Sequence, residues 1–268
     1  MNELEFIQRG FEKPEPDAEN EPSHFDPLVG TQEDKVKAFL GRGKAFMTLE
    51  KTSRNEEHLI KAIADFCEAI KLNPNNPKAF FQRGLAKFRL GPLAKDKETF
   101  SAVLLNAVND FHTALGLEDS MEEAVYYYFN GGLVALALGE YRGALDELGN
   151  AIKYSKEKFF GFYLVRGMAL GSLKKFQLAI LDFEKASELS QSKTTKAEAH
   201  FNLGLMYFQL WEDRQRNGRK EDELFKKAME YYRSAIQCKP DYVDVYINMS
   251  TAYILTKQFQ KAVDVLNV

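Results

Sequence analysis

The chain has 268 residues, 45% of them hydrophobic, and its 36 basic and 39 acidic residues leave a net charge of −3. It is long enough to bury a substantial core, and neither the charge balance nor any basic cluster points to attraction for nucleic acid or an anionic membrane. Two cysteines far apart in sequence, Cys67 and Cys238, provide neither a disulfide framework nor a Cys-x-x-Cys metal or redox pair, so a reducing, cytoplasmic setting is the expectation.

Residues 1–33 read as a separate acidic segment, with nine acidic and two basic residues around the proline cluster EKPEPDAENEP. It has no signal-like apolar run and too little hydrophobicity to build a core of its own. Its charge is −7 and that of the remainder +4, which raises two alternatives: a mobile tail or cap, or a segment folded back through Phe6, Phe11 or Phe25 onto the basic start of the array.

From residue 34 the pattern becomes repetitive. NPKAFFQRGLAKFRLG, FFGFYLVRGMALGSL, KAEAHFNLGLMYFQL and YVDVYINMSTAYILT align with one another. Each is followed by a run of the form seen in AIADFCEAIKLNP, AVNDFHTALGL, ALDELGNAIKY, AILDFEKASEL, AMEYYRSAIQCKP and AVDVLNV. Apolar residues recur at helical spacing in both kinds of run. Six two-helix units result, near 36–76, 77–120, 125–158, 160–193, 197–242 and 243–268. Apolar stretches such as GGLVALALG are too short to span a bilayer.

These units resemble the tetratricopeptide repeat (TPR), with small residues at positions 8, 20 and 27 and bulky ones at 4, 11 and 24. Position 8 is Gly43, Gly84, Gly132, Gly167, Gly204 and Ser250. Position 20 is Ala62, Ala107, Ala144, Ala179, Ala228 and Ala262, and position 27 is Ala69, Ala114, Ala151, Ala186 and Ala235. The resemblance covers about residues 34–268 and implies an all-α, right-handed superhelical solenoid with a concave face lined by the first helix of each repeat. The last repeat stops within its second helix without a polar cap, so the chain is expected to be the first part of a longer protein or to end by docking on something.

Three arginines, Arg42, Arg83 and Arg166, occupy position 7. The same repeats, and no others, carry aspartate at position 23: Asp65, Asp110 and Asp182. Their joint presence and absence predicts ion pairs between the two helices of one hairpin. The step from position 11 to position 20, nominally nine residues, is 16 in repeat 1, 20 in repeat 2 and 21 in repeat 5. The extra residues in WEDRQRNGRKEDE either lengthen two helices or build a partner-binding edge anchored by Trp211, the only tryptophan.

Nothing in the chain reads as catalytic machinery. His24, His58, His112 and His200 are scattered, without metal-ligand spacing, and no phosphate-cradling glycine loop is present. No cofactor is expected. The family resemblance directs attention to positions 5, 6 and 9 of the first helices. Phe81, Leu85, Phe129, Leu133, Leu164, Met168, Phe201 and Leu205 form a second apolar stripe, beside the amides Gln82, Asn130, Asn202 and Asn248. Inter-repeat packing and a peptide-binding groove both remain open as uses of that stripe.

Lys37, Lys44, Lys78 and Arg89 make repeats 1 and 2 its basic end, whereas Glu198 and Asp244 lie at the other. The lysine-asparagine carboxylate clamp of the chaperone-associated subgroup is absent, which disfavours a co-chaperone module. The expectation is a non-enzymatic adaptor that takes a peptide or helix of a protein partner in the groove, or else a folded domain on the insertion edge. Oligomeric state is left open.

Overall fold

Twelve α-helices and one short 3-10 turn, with no strand, make up the described part of the computed structural model, which comprises residues 30–53, 55–156, 158–219 and 221–267. The acidic segment up to residue 29, with His24, Phe6, Phe11, Phe25 and the fold-back expectation, lies outside them. The chain divides into two compact units, one ending at Lys156 and the other beginning at residue 157.

The first unit contains α1 (Gln32–Ser53), α2 (Glu56–Leu72), α3 (Pro77–Leu90), α4 (Lys97–Leu117), α5 (Met121–Ala137) and α6 (Tyr141–Tyr154). These pair as antiparallel hairpins α1–α2, α3–α4 and α5–α6, and each hairpin packs on the next. The second unit repeats the arrangement with α7 (Phe160–Ser172), α8 (Phe176–Leu189), α9 (Lys193–Arg216), α10 (Asp222–Cys238), α11 (Val243–Leu255) and α12 (Phe259–Leu266).

Local sequence explains where these helices start. The side chains of Asn55, Asn76, Asp96 and Ser120 each accept from a backbone N–H of the helix they precede, satisfying donors that have no partner within the helix. Pro77 follows Asn76 at a position where its missing N–H costs nothing. Ser192 and Thr195 exchange bonds in a capping box at the head of α9.

The first helices of four hairpins, α5, α7, α9 and α11, end with one shared device. In LGE, Gly139 has φ +78° and donates to Leu136 O at 3.0 Å, while Glu140 donates to Ala135 O at 2.8 Å. Lys174 with Lys175, Gly218 with Arg219, and Lys257 with Gln258 repeat that pair of bonds, again with positive φ at the first residue. This is a Schellman ending, which glycine adopts freely and lysine only with strain.

Close approach of the paired helices is set at position 8. A Cβ on Gly43 would come within 2.5 Å of the Phe66 ring. The corresponding distances are 2.7 Å at Gly84 from Phe111, at Gly132 from Leu148 and at Gly167 from Phe183, and 2.5 Å at Gly204 from Tyr232. The alanines of positions 20 and 27 are fully or almost fully buried in all copies. Small residues thus bring the backbones together, and the bulky residue at position 24 fills the space a methyl would take.

The extra residues of repeats 1, 2 and 5 are absorbed mainly by helix. α1 runs for 22 residues, α4 for 21 after the 3-10 turn Gly91–Leu93, and α9 for 24. Asn217 and Gly218 make the tight turn between α9 and α10.

Candidate interaction site

The three position-7 arginines each make a two-pronged contact with the aspartate of the facing helix. Arg42 Nε and Nη2 donate to Asp65 at 2.8 and 2.6 Å, Arg83 to Asp110 at 3.0 and 2.6 Å, and Arg166 to Asp182 at 2.8 and 2.7 Å. The carboxylates are buried, while the guanidinium groups keep partial access to water. Hydrogen bonding to Asp110 and to Asp182 holds Arg83 and Arg166 above the usual arginine pKa, against the opposing effect of burial.

Each guanidinium also lies over the ring three residues earlier: Phe39 at 5.6 Å, Phe80 at 5.4 Å and Tyr163 at 5.7 Å. Lys87 adds a second cation to Asp110 at 2.8 Å, and Arg83 Nη1 also reaches Cys67 Sγ at 3.4 Å. These groups point into hairpin seams, where they brace the scaffold.

Repeats without the arginine fill the slot differently. In α5–α6, Glu147 lies beside Gly131 and pairs with His112 of α4 at 2.9 Å. In α9–α10, Tyr231 stacks on Tyr207 with ring centroids 5.5 Å apart and lies near His200.

Much of the expected apolar groove is closed. Leu85, Phe129, Leu133, Leu164 and Met168 are buried, and Asn130 is fully so. Phe81 packs against Phe111 of its own hairpin and Tyr127 of the next first helix, at 5.7 and 4.8 Å. Phe201 does the same with Tyr232 and Tyr242, at 6.2 and 5.2 Å. An aromatic at position 5 therefore fills the seam between successive hairpins. Of the two uses the sequence left open for the stripe, inter-repeat packing takes up these side chains in repeats 2 to 4.

The amides are partly committed as well. Asn130, Asn202 and Asn248 each donate Nδ2 to the carbonyl four residues earlier on their own helix, at 2.8, 2.9 and 2.8 Å. Gln82 is half-buried. In the second unit Asn202 and Asn248 remain half-buried with Oδ1 unengaged, beside half-buried Phe201 and Leu205, and Ile247 is exposed.

The expected basic end also changes. Arg89 is buried and donates to Met47 O at 3.3 Å, so it is not a groove cation; the long α1 supplies that carbonyl. Lys78 is exposed, Lys37 is exposed and pairs with Glu33 at 2.7 Å, and Lys44 is half-buried. At the other end Glu198 is buried and Asp244 half-buried.

Trp211 stands where α9, 24 residues long, overhangs the 13-residue α11 of the next hairpin. The step leaves a cleft of about 500 Å³ walled by Trp211, Phe225, Met229 and Tyr253, a volume within the range of ligand pockets. Trp211 stacks on Phe208 at 5.5 Å and meets Phe225 at 5.3 Å. Its Nε1 is shielded from solvent without an acceptor among the described residues. Only Trp211 of this group was singled out by the sequence, since the cleft depends on a difference in helix length between neighbouring repeats.

Among the described residues no group of three or more His, Cys, Asp and Glu could hold a metal ion, and no helix is long and apolar enough to cross a membrane. Burial holds the His200 pKa below the ordinary value, and the hydrogen bond to Glu147 raises that of His112.

TPR family models match residues 59–91 and 129–193. No curated protein matches the chain. Among solved structures, YrrB, described as a TPR protein with an unusual peptide-binding site, is 20% identical over 75% of this chain and 89% of its own, with a TM-score of 0.52. TTC0263, a thermophilic TPR protein of Thermus thermophilus, is 16% identical over 82% of this chain and 99% of its own, at 0.52. Human IFIT1, solved as a dimer with m7Gppp-AAAA, is 16% identical over 87% of this chain and 49% of its own, at 0.57. Identities this low speak to the fold alone: the chain has the helical-hairpin fold of these TPR proteins, and TPR repeat models match two stretches of it.

Proposed function

We propose that this protein is a non-enzymatic scaffold that binds a peptide or helix of a protein partner on the first-helix face of its second unit. One observation carries the reading: Phe201, Asn202 and Leu205 of α9 and Ile247 and Asn248 of α11 keep access to solvent, whereas their counterparts Phe129, Asn130 and Leu133 in α5 are buried. The free Oδ1 and second N–H of each amide suit the backbone of an extended segment, and the apolar neighbours suit its side chains. The peptide-binding site named for YrrB supports a peptide as the ligand class.

Selection of a displayed peptide library on the full chain tests this. Selected peptides should bind the wild type and the Trp211→Ala variant alike, and lose about tenfold or more in affinity on Ile247→Asp or Asn202→Ala. The opposite pattern, loss on Trp211→Ala alone, would move the site to the insertion edge.

A further inference from the structure

The cleft beneath Trp211 has a chemical character of its own. Three aromatic walls, Trp211, Phe225 and Tyr253, converge there, with Phe225 and Tyr253 6.1 Å apart. Two cations meet at the Tyr253 side. Arg233 Nη2 donates to Tyr253 Oη at 3.1 Å, and Lys261 Nζ lies 5.7 Å from the centre of the same ring while donating to Gln258 at 2.8 Å.

Neither cation has a carboxylate partner among the described residues, unlike Lys226 on the same rim, which pairs with Glu223 at 3.3 Å. The acids of the rim, Asp222 and Glu230, are both on α10, and neither forms an ion pair with Arg233 or Lys261. Both are exposed on the rim, so an anion entering from solvent meets two cations that no carboxylate of the described residues already holds.

We propose that this cleft is a second peptide site, distinct from the first-helix face, which takes an acidic linear segment of a partner protein. A large apolar side chain enters between Trp211, Phe225 and Tyr253, and a carboxylate of the following residue is held by Arg233 and Lys261. Charge complementarity and the depth of the aromatic wall select that chemistry over a neutral or basic segment. The step between α9 and α11 creates the site, so it belongs to repeat 5 and not to the array in general.

The only tryptophan of the chain lies in the wall, so its fluorescence reports occupancy directly. The probe is the tryptophan-free octapeptide Gly-Ser-Leu-Phe-Glu-Glu-Ser-Gly, titrated into the full chain beside a version with both glutamates replaced by lysine. The glutamate peptide should give a saturable change that weakens about tenfold in the Arg233→Ala/Lys261→Ala double variant and with added salt, while Ile247→Asp leaves it unaltered. Circular dichroism checks that each variant is folded.

No saturable change up to about 1 mM peptide would overturn the proposal. So would equal binding of the two peptides, or full retention of binding by the double variant. Loss on Ile247→Asp alone would assign the peptide to the first-helix face, overturning the cleft while leaving the proposed function intact.

Discussion

The α3–α4 and α9–α10 hairpins use the same backbone geometry with opposite chemistry in the seam. In the first, Asp110 gathers Lys87 and Arg83, the latter lying over the Phe80 ring. In the second, the equivalent slot holds Leu203, buried, and Tyr231, stacked on Tyr207. Both hairpins nevertheless keep a glycine pressed on a ring, Gly84 on Phe111 and Gly204 on Tyr232. The close approach at position 8 is therefore the invariant of the hairpin, and the filling at positions 7 and 23 is exchangeable as a pair but not singly.

The largest effect should come from breaking one side of the ionic version. Asp110→Ala leaves two cations without their shared anion and is expected to cost about 3 kcal/mol, at the lower end for a buried pair because Arg83 is partly exposed. Urea unfolding with a circular-dichroism readout measures it. Converting both members, Arg83→Leu with Asp110→Tyr, rebuilds the α9–α10 filling and should cost less than Asp110→Ala. A double variant as unstable as the single would break the comparison.

Next in size, Gly84→Ala and Gly204→Ala should each destabilise by about 2 kcal/mol, since the new methyl overlaps a ring in both. Similar losses in the two hairpins would show that the contact is independent of how the seam is filled. A loss in only one would tie it to the neighbouring chemistry.

The hairpin turns allow a smaller, stabilising test. Lys174→Gly relieves positive φ at a position where Gly139 does the same work in α5–α6, and a gain of about 0.5 kcal/mol is expected after the entropy cost of glycine in the unfolded chain. Gly139→Lys should show the reverse sign, with thermal melts of both variants as the measurement.

The subtlest contrast is in pH. His112 has its pKa raised by the bond to Glu147, so its contribution is fully present below the unfolded value of 6.5 and is lost as pH rises through the higher folded value. His200 has its pKa lowered by burial, so its neutral form favours folding above 6.5 and that stability is lost as pH falls through the lower folded value. His112→Gln should therefore be costlier in acid than in alkali, and His200→Gln should blunt the acid loss. Parallel urea titrations across that range would separate the two signs.

Most of the scaffold was legible because six internal copies act as their own comparison. Small residues at 8, 20 and 27 recur in register, and the arginine and aspartate vary together. The ring under each arginine was not legible, because position 4 is Phe or Tyr in five of the six copies, with or without the arginine, and His200 in the other. The fate of position 5 was undecidable for a different reason: packing against the next repeat and binding an apolar ligand demand the same side chains, and only the contacts of Phe81 and Phe201 separate them. Counting residues located the insertion at Trp211, yet not that its halves would continue α9 and α10 and carry α9 past the end of the shorter α11.

The bond between His112 and Glu147 joins α4 to α6, members of successive hairpins, whereas every arginine-aspartate contact stays inside one hairpin. In a one-dimensional array, contacts of the second kind set how stable each element is alone, and those of the first kind set how strongly it recruits its neighbour. Protonation of one imidazole thus acts on cooperativity, the number of hairpins that open together, while leaving the strength of each hairpin unchanged. Amide hydrogen exchange resolves that distinction: raising the pH should weaken the coupling between α3–α4 and α5–α6 by at most about 1 kcal/mol, while the Phe81–Tyr127 contact keeps the two hairpins joined.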